Sequence, residues 1–261
     1  TDASSENVVY HSRNLILAEE NSQAHLIETH QTYGNGKNFV NQASEIVIAK
    51  SANVAYYKIQ EDGEESYRVD NTQIVQFKDS VFNAFTFTFS GKIVRNNLNI
   101  RLADEHCESH MFGLYLLRGN SHVDNHTVVD HEKANSFSNE IYKGILDDQS
   151  TGVFNGKIYV RQDAQKTNAF QSNKNILLTD EANVNTKPQL EIWADDVKCS
   201  HGCTTGQLDE DQMFYLRSRG IEKEGARALL LLAFAADVLE NIKIEFLTEH
   251  VSQVIHDRLI K

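Results

Sequence analysis

Up to about residue 206 the chain runs in short stretches rich in Ile, Val, Leu, Tyr and Phe, and within them apolar and polar positions alternate with the period of two that a β-strand imposes. The stretches cover residues 13–29, 44–59, 96–117, 156–170, 175–187 and 189–202. They share a loose form. An alternating apolar run is followed by a small or polar residue and an acidic pair (Glu19-Glu20, Asp104-Glu105, Asp180-Glu181, Asp195-Asp196), after which a new strand begins. Pairs that recur in this way mark turns rather than one set of catalytic carboxyls. From Val160 to Leu178 to Trp193 equivalent positions lie about 18 and then about 15 residues apart. That is too close for a crossover helix, and no two-residue hairpin signal lies between them. Strands joined by corners and stacked coil on coil fit this pattern, which predicts a β-solenoid. A β-sandwich, whose short strands look similar, is the alternative.

After Gly206 the period changes to that of helices. Asp209 can cap a helix with Glu210 and Asp211 in its first turn and an end marked by Gly220. Residues 222–241 form a second helix, apolar nearly all round, which implies burial on several sides and makes a partner surface plausible. Phe246, Leu247, Val251, Val254, Ile255 and Leu259 recur at spacings near three and four, giving the last helix one apolar face. The expected division is a β domain over 1–206 and a helical domain over 207–261.

Composition narrows the functions. With 261 residues the chain can bury a sizeable core. A net charge of −12 argues against a nucleic-acid partner, because phosphates call for clustered lysine and arginine. The longest apolar run, 228–236, is far short of the roughly 20 residues that cross a bilayer, and the first residues lack a signal-peptide pattern. Three cysteines, an odd number, point to a reducing compartment and a cytoplasmic location. The glycine cluster YGNGKNF (33–39) lacks the spacing and hydroxyl of a Walker loop, so no ATP site is expected; nucleophile elbow, HExxH and dinucleotide fingerprints are also missing. Spacing puts His126 and His131 on opposite faces of a strand, so with His122 they read as structural or surface residues.

The stretch VKCSHGCTTG (197–206) carries the candidate chemistry. On a strand, Cys199, His201 and Cys203 project from the same face. The Cα atoms of Cys199 and Cys203 are then about 13 Å apart, beyond the roughly 7 Å limit for a disulfide. Thiol and imidazole are suitable metal ligands, but the row is incomplete as a metal site and needs Cys107, another histidine or a second chain. Without His201, ordinary burial would be the default for both cysteines.

Residues 185–221, NTKPQLEIWADDVKCSHGCTTGQLDEDQMFYLRSRGI, closely resemble the SufD branch of the SufB/SufD family of the SUF iron-sulfur cluster assembly machinery. Further matches lie at 123–131, 141–160, 165–191 and around the apolar helix at 229–236, with a looser likeness at 13–29. SufB carries a different, glutamate-containing sequence where this chain has Cys199 to His201. The resemblance implies a right-handed parallel β-helix followed by a C-terminal helical domain. It also implies a scaffold without catalysis of its own, pairing with SufB through the β-helices and docking the SufC ATPase on the helices. The histidine of the CSHG motif is the SufD residue linked to a nascent, transiently held iron-sulfur cluster at the SufB interface, and it maps onto His201, with Cys199 beside it. The family usually has alanine at the position of Cys203. The thiol there is either a third ligand or, as preferred, a small buried group replacing a methyl. Family members also begin with a helical domain, whereas this sequence enters strands almost at once, as a fragment would. In isolation the chain could pair with itself.

Two other classes compete. A secreted carbohydrate-active β-helix enzyme needs convergent acids on one outer face and a signal peptide. A pure interaction module would use the thiols as core. Separate replacement of Cys199 and His201 tells ligand from packing roles, since packing predicts lost stability and ligation predicts lost cluster assembly with the fold kept.

Overall fold

The computed structural model describes residues 1–4, 7–34 and 36–259. Asn35 of the glycine cluster, the Leu259 side chain and positions 5, 6, 260 and 261 lie outside that description. Among the described residues fourteen strands form two parallel sheets, and successive strands alternate between them. The odd sheet contains β1 (Val8–Ala18), β3 (Asn38–Ile48), β5 (Ser66–Gln76), β7 (Ile93–Leu102), β9 (His122–His131), β11 (Thr151–Val160) and β13 (Asn183–Ile192), in that spatial order. The even sheet runs β2 (Gln23–Gln31), β4 (Asn53–Glu61), β6 (Val81–Ser90), β8 (Glu108–Leu117), β10 (Phe137–Leu146), β12 (Asn168–Leu177) and β14 (Lys198–Gly206). Each coil thus contributes one strand to each sheet, and Val8 pairs with Asn38 on the coil above, roughly 30 residues later. The half-coil is the repeat read from Val160, Leu178 and Trp193. Because every pairing between strands is parallel, the architecture is a two-sheet β-solenoid and the sandwich alternative is excluded.

Corners turn the chain between sheets without helices. Asn21, Ser51, Asp79, His106, Asn135 and Lys166 each adopt a left-handed backbone at the corner that leads from the odd sheet to the even one. Asn and Asp tolerate that region best, which explains the acidic and amide bias of these turns. The four acidic pairs read from the sequence all fall in such inter-strand corners.

Two apolar clusters hold the molecule together. One fills the lumen, with Ile46, Ile74, Ile100, Val129 and Ile158 among its members stacked along the odd sheet. The other lies between the outer face of the even sheet and the C-terminal helices, which explains why β4 and β8 are buried on both faces and read as continuous apolar runs. Helix α1 (Glu210–Ser218) starts on Asp209, whose side chain accepts from the Asp211 and Gln212 amides at 2.9 and 3.1 Å. Helices α2 (Lys223–Leu239) and α3 (Glu245–Leu259) bury Leu231, Ala235, Val238, Leu247, Val251 and Ile255 on the sheet. Lys143, buried beneath α2, pairs with Asp237 at 2.5 Å and donates to the Phe234 carbonyl at 2.6 Å. As expected, α2 is covered on several sides, by α1, by α3 and by the outer face of β8 and β10, but it leaves one stripe open, on which Leu229 is 48% exposed. No helix among the described residues is long and apolar enough to cross a membrane.

Candidate functional site at the last coil

Strand β14 is the edge of the even sheet and pairs only with β12. The register sets Cys199 opposite Ala169, His201 opposite Gln171 and Cys203 opposite Asn173. Those three β12 residues face inward and are buried, so the thiol and imidazole row continues the lumen face onto the last coil, where no further strand covers it among the described residues. Cys199 remains half-buried against the lumen cluster, and His201 and Cys203 are exposed. Period-two geometry therefore places the three residues on one face, as the sequence predicts. The reading of Cys203 as a small buried thiol is corrected. At the same point in the coil where Asn173 is enclosed, Cys203 has no strand above it and stands in the open.

The cysteines differ in chemistry. Burial pushes the Cys199 thiol up, against the opposing effect of a hydrogen bond with the Ala169 backbone. Cys107, just before β8, lies three strands down the even sheet from β14. It is buried, its Sγ sits 3.3 Å from the carbonyls of Phe77 and Asp104, and burial pushes its pKa up to about 11. It is thus a protonated core thiol and does not join the row. Among the described residues no group of three or more His, Cys, Asp or Glu side chains is arranged to enclose a metal ion. What the row offers is donors open to one side, suited to iron in chemistry and short in number.

The other histidines fall as the spacing predicts. His126 faces outward, 2.9 Å from Asp124, and His131 is buried, bonded to Ser138 Oγ at 2.9 Å, with burial pushing its pKa down to about 4. Beneath the row lie groups that hydrophobic periodicity did not single out. Glu140 on β10 is fully buried, and burial, partly opposed by the hydrogen bond it accepts from Gln171, pushes its carboxyl up to about 7. Gln171 donates from Nε2 to Glu140 at 2.7 Å. The alternation of N-E-I-Y-K (139–143) and Q-S-N-K-N (171–175) carried the signal, but with polar residues in the inward places.

The class these features define is a two-sheet parallel β-solenoid with an open thiol and imidazole row on its last strand and helices laid along one sheet. Residues 1–234 match the family model described as the SufBD core domain of SUF system FeS cluster assembly. The chain belongs to this SufBD core family. It is 34% identical over 97% of its length to an iron-sulfur cluster assembly SufBD family protein of Synechocystis, and 34% identical over 97% to the iron-sulfur cluster assembly protein SufD of Escherichia coli. A chloroplastic protein of Arabidopsis thaliana, ABCI7, is 30% identical over 89% of the chain. The chain spans 58%, 60% and 49% of the lengths of these relatives.

Proposed function

We propose that this chain is a non-enzymatic scaffold subunit for iron-sulfur cluster assembly. In this reading His201, with Cys199 beside it and Cys203 as a further donor, holds iron or sulfide of a nascent cluster at an interface with SufB, and SufC supplies conformational work from ATP. The observation that carries the reading is the open row on β14: two donors stand exposed on what is elsewhere the lumen face, on a strand edge with free backbone groups. A row short of ligands on such an edge is completed by a second chain. Membership of the SufBD core family makes SufB the partner of choice.

Docking of SufC on the helices is supported by the apolar groups they leave uncovered. Phe214, Tyr215, Leu229 and Phe246 are all exposed, on elements whose opposite faces are committed to the sheet or to one another. The carbohydrate-active reading loses ground because the acidic pairs are distributed among separate corners and do not converge.

The test is cluster assembly by the full-length protein carrying His201→Ala, with SufB and SufC complex formation and a melting curve measured alongside. The reading expects assembly to fail while the complex and the melting temperature persist. Assembly that survives the substitution overturns the ligand role and leaves a scaffold that only holds its partners.

A further inference from the structure

The sequence K-C-S-H-G-C-T (198–204) places its donors symmetrically about His201, with one thiol two places before the imidazole and another two places after it. The backbone of β14 repeats this division. Lys198 N–H donates to the Thr167 carbonyl, just before β12, at 2.9 Å. Backbone groups alternate in direction along a strand, so Ser200, Gly202 and Thr204 also spend theirs on β12, and the N–H and C=O of Cys199, His201 and Cys203 point to the open edge. The residues that carry the donors are therefore the residues whose backbone is free to pair. A two-fold axis through such an edge joins two copies of the chain antiparallel, with both rows on the same face. Centred on His201, the pairing sets Cys199 opposite Cys203 of the second copy, His201 opposite its own equivalent, and Cys203 opposite Cys199 of the second copy. These are hydrogen-bonded pairs, with opposed Cα atoms about 5.5 Å apart. A shift by two residues leaves a cysteine without an opposed donor. Nothing on the other face of the strand resists: Ser200 meets Gly202, Lys198 meets Thr204 and Asp196 meets Gly206, so no like charges face each other. Every residue from Ser200 to Gly206 is exposed, and a Cβ at Gly202 would have no atom within 4 Å.

We propose that two copies of this chain, joined through β14, hold divalent thiolate-preferring cations in two equivalent sites, each built from Cys199 of one copy, Cys203 of the other and an adjacent His201, with one position left open. Zinc and cobalt have this ligand preference. Within one copy the outer donors stand about 13 Å apart and cannot share an ion. Across the pair, metal–sulfur bonds of about 2.3 Å bring two sulfurs to about 4 Å from each other, which opposed side chains reach. Each ion that binds displaces the protons of two thiols and takes a neutral imidazole by its lone pair. The self-matching spacing of the row is what selects a second copy as the occupant of this edge. The site goes beyond the scaffold reading and needs neither SufB nor a cluster, so each can fail without the other.

The experiment titrates the chain with Co(II) under a non-thiol reductant, following absorption and, by light scattering, molar mass. The expected result is the visible bands of four-coordinate cobalt with thiolate-to-cobalt charge transfer, saturating at about one ion per chain, and a mass that doubles as the metal binds. Cys203→Ala, at an exposed position, loses both the charge transfer and the metal-linked dimer, and so does Cys199→Ala. Mixing these two silent variants separates the proposal from any site within one copy. A pair of unlike copies regains one complete site, Cys203 of the one facing Cys199 of the other, so charge transfer returns at about a quarter of the unsubstituted intensity under random pairing. Cys199→Ser replaces Cys199→Ala in the mixture if the latter melts early. A mixture that stays silent, a two-thiolate spectrum on a species of single-chain mass, or one that survives in Cys203→Ala overturns the proposal. A dimer that forms without metal and is dissolved by stronger reductant is a disulfide, and it overturns the proposal as well.

Discussion

In the first coils the lumen holds ions that answer one another, whereas the last coils hold polar groups with no lysine or arginine facing them. Lys58 lies 2.5 Å from Asp70, and Arg68 grips Asp62 with Nε and Nη2 at 2.6 and 2.9 Å, all four being buried. Toward β14 the inward positions are Glu140, Gln171, Asn173 and His201; single buried atoms without a partner among the described residues occur at both ends, on Asn38, Arg68 and Asp70 as on Glu140 and Gln171, so what separates the ends is the buried ion pairs. Between the two stand Met111, Phe154, and the rings of Tyr142 and Tyr115 packed over Gly113 and Gly144. Buried polar groups that satisfy each other specify shape.

Breaking the ion pairs of the first coils has the largest expected effect. Burial pushes the Asp70 carboxyl up, but Lys58 and Thr72 outweigh it and hold the group below its usual range. Lys58→Met leaves that carboxylate buried without its cation and is expected to cost about 3–5 kcal/mol, read from the shift in denaturant midpoint at constant slope. A loss below about 1 kcal/mol would mean that the first coils are no more tightly specified than the last.

The two ends also respond to pH in opposite senses. In the first coils burial, then Arg68 and Lys58, push His30 down to about 3. Its folded pKa is below its unfolded one, so the stability it reflects is present above about pH 6.5 and is lost as the pH falls toward 3. Glu140 is the reverse. Its folded pKa near 7 exceeds the ordinary 4.5, so stability is full below about pH 4.5 and declines as the pH rises through 7. The loss over that window is on the order of 3 kcal/mol. Glu140→Gln removes this slope, and the variant gains on the unsubstituted protein as the pH is raised from 5 to 8 in paired melts. Equal pH dependence in both proteins would show that Glu140 is solvated and that the last coils are not a dry chamber.

The same contrast explains what could be read in the sequence. The solenoid was legible because β3, β7, β11 and the apolar faces of β4 and β8 put Ile, Val, Leu and Phe at alternate places. Strands β5, β6, β9 and β10 were outside the recognised runs; in β5 and β10 the reason is physical, since at Ser66, Arg68, Asp70 and Thr72, and again at Ser138 and Glu140, the inward positions are polar, whereas β6, with Phe82, Phe85, Phe87 and Phe89, carried a legible apolar pattern. The row of Cys199, His201 and Cys203 was legible because period two alone fixes its face. Its exposure was not, because exposure depends on β14 being the last strand of its sheet. Gln171 and Glu140 were missed because their meaning lies in register across strands about 30 residues apart, a distance at which one sequence shows no pairing.

The smallest expected effect falls on Cys203, and it sharpens the comparison at the open end itself. Lacking a strand above it, the side chain contributes little packing, so Cys203→Ala should change stability by no more than about 0.5 kcal/mol, while Cys199→Ala, which removes a thiol from the lumen cluster, costs about 1 kcal/mol. Alkylation of the native protein provides an independent check: Cys203 reacts readily, Cys107 stays protected until unfolding, and Cys199, with its raised pKa, is slower than Cys203. If Cys203 is protected at high protein concentration and becomes reactive on dilution, a second copy of the chain covers the β14 edge. The open end is then an interface between like chains, and the row on the last coil is completed by a second copy of the same solenoid.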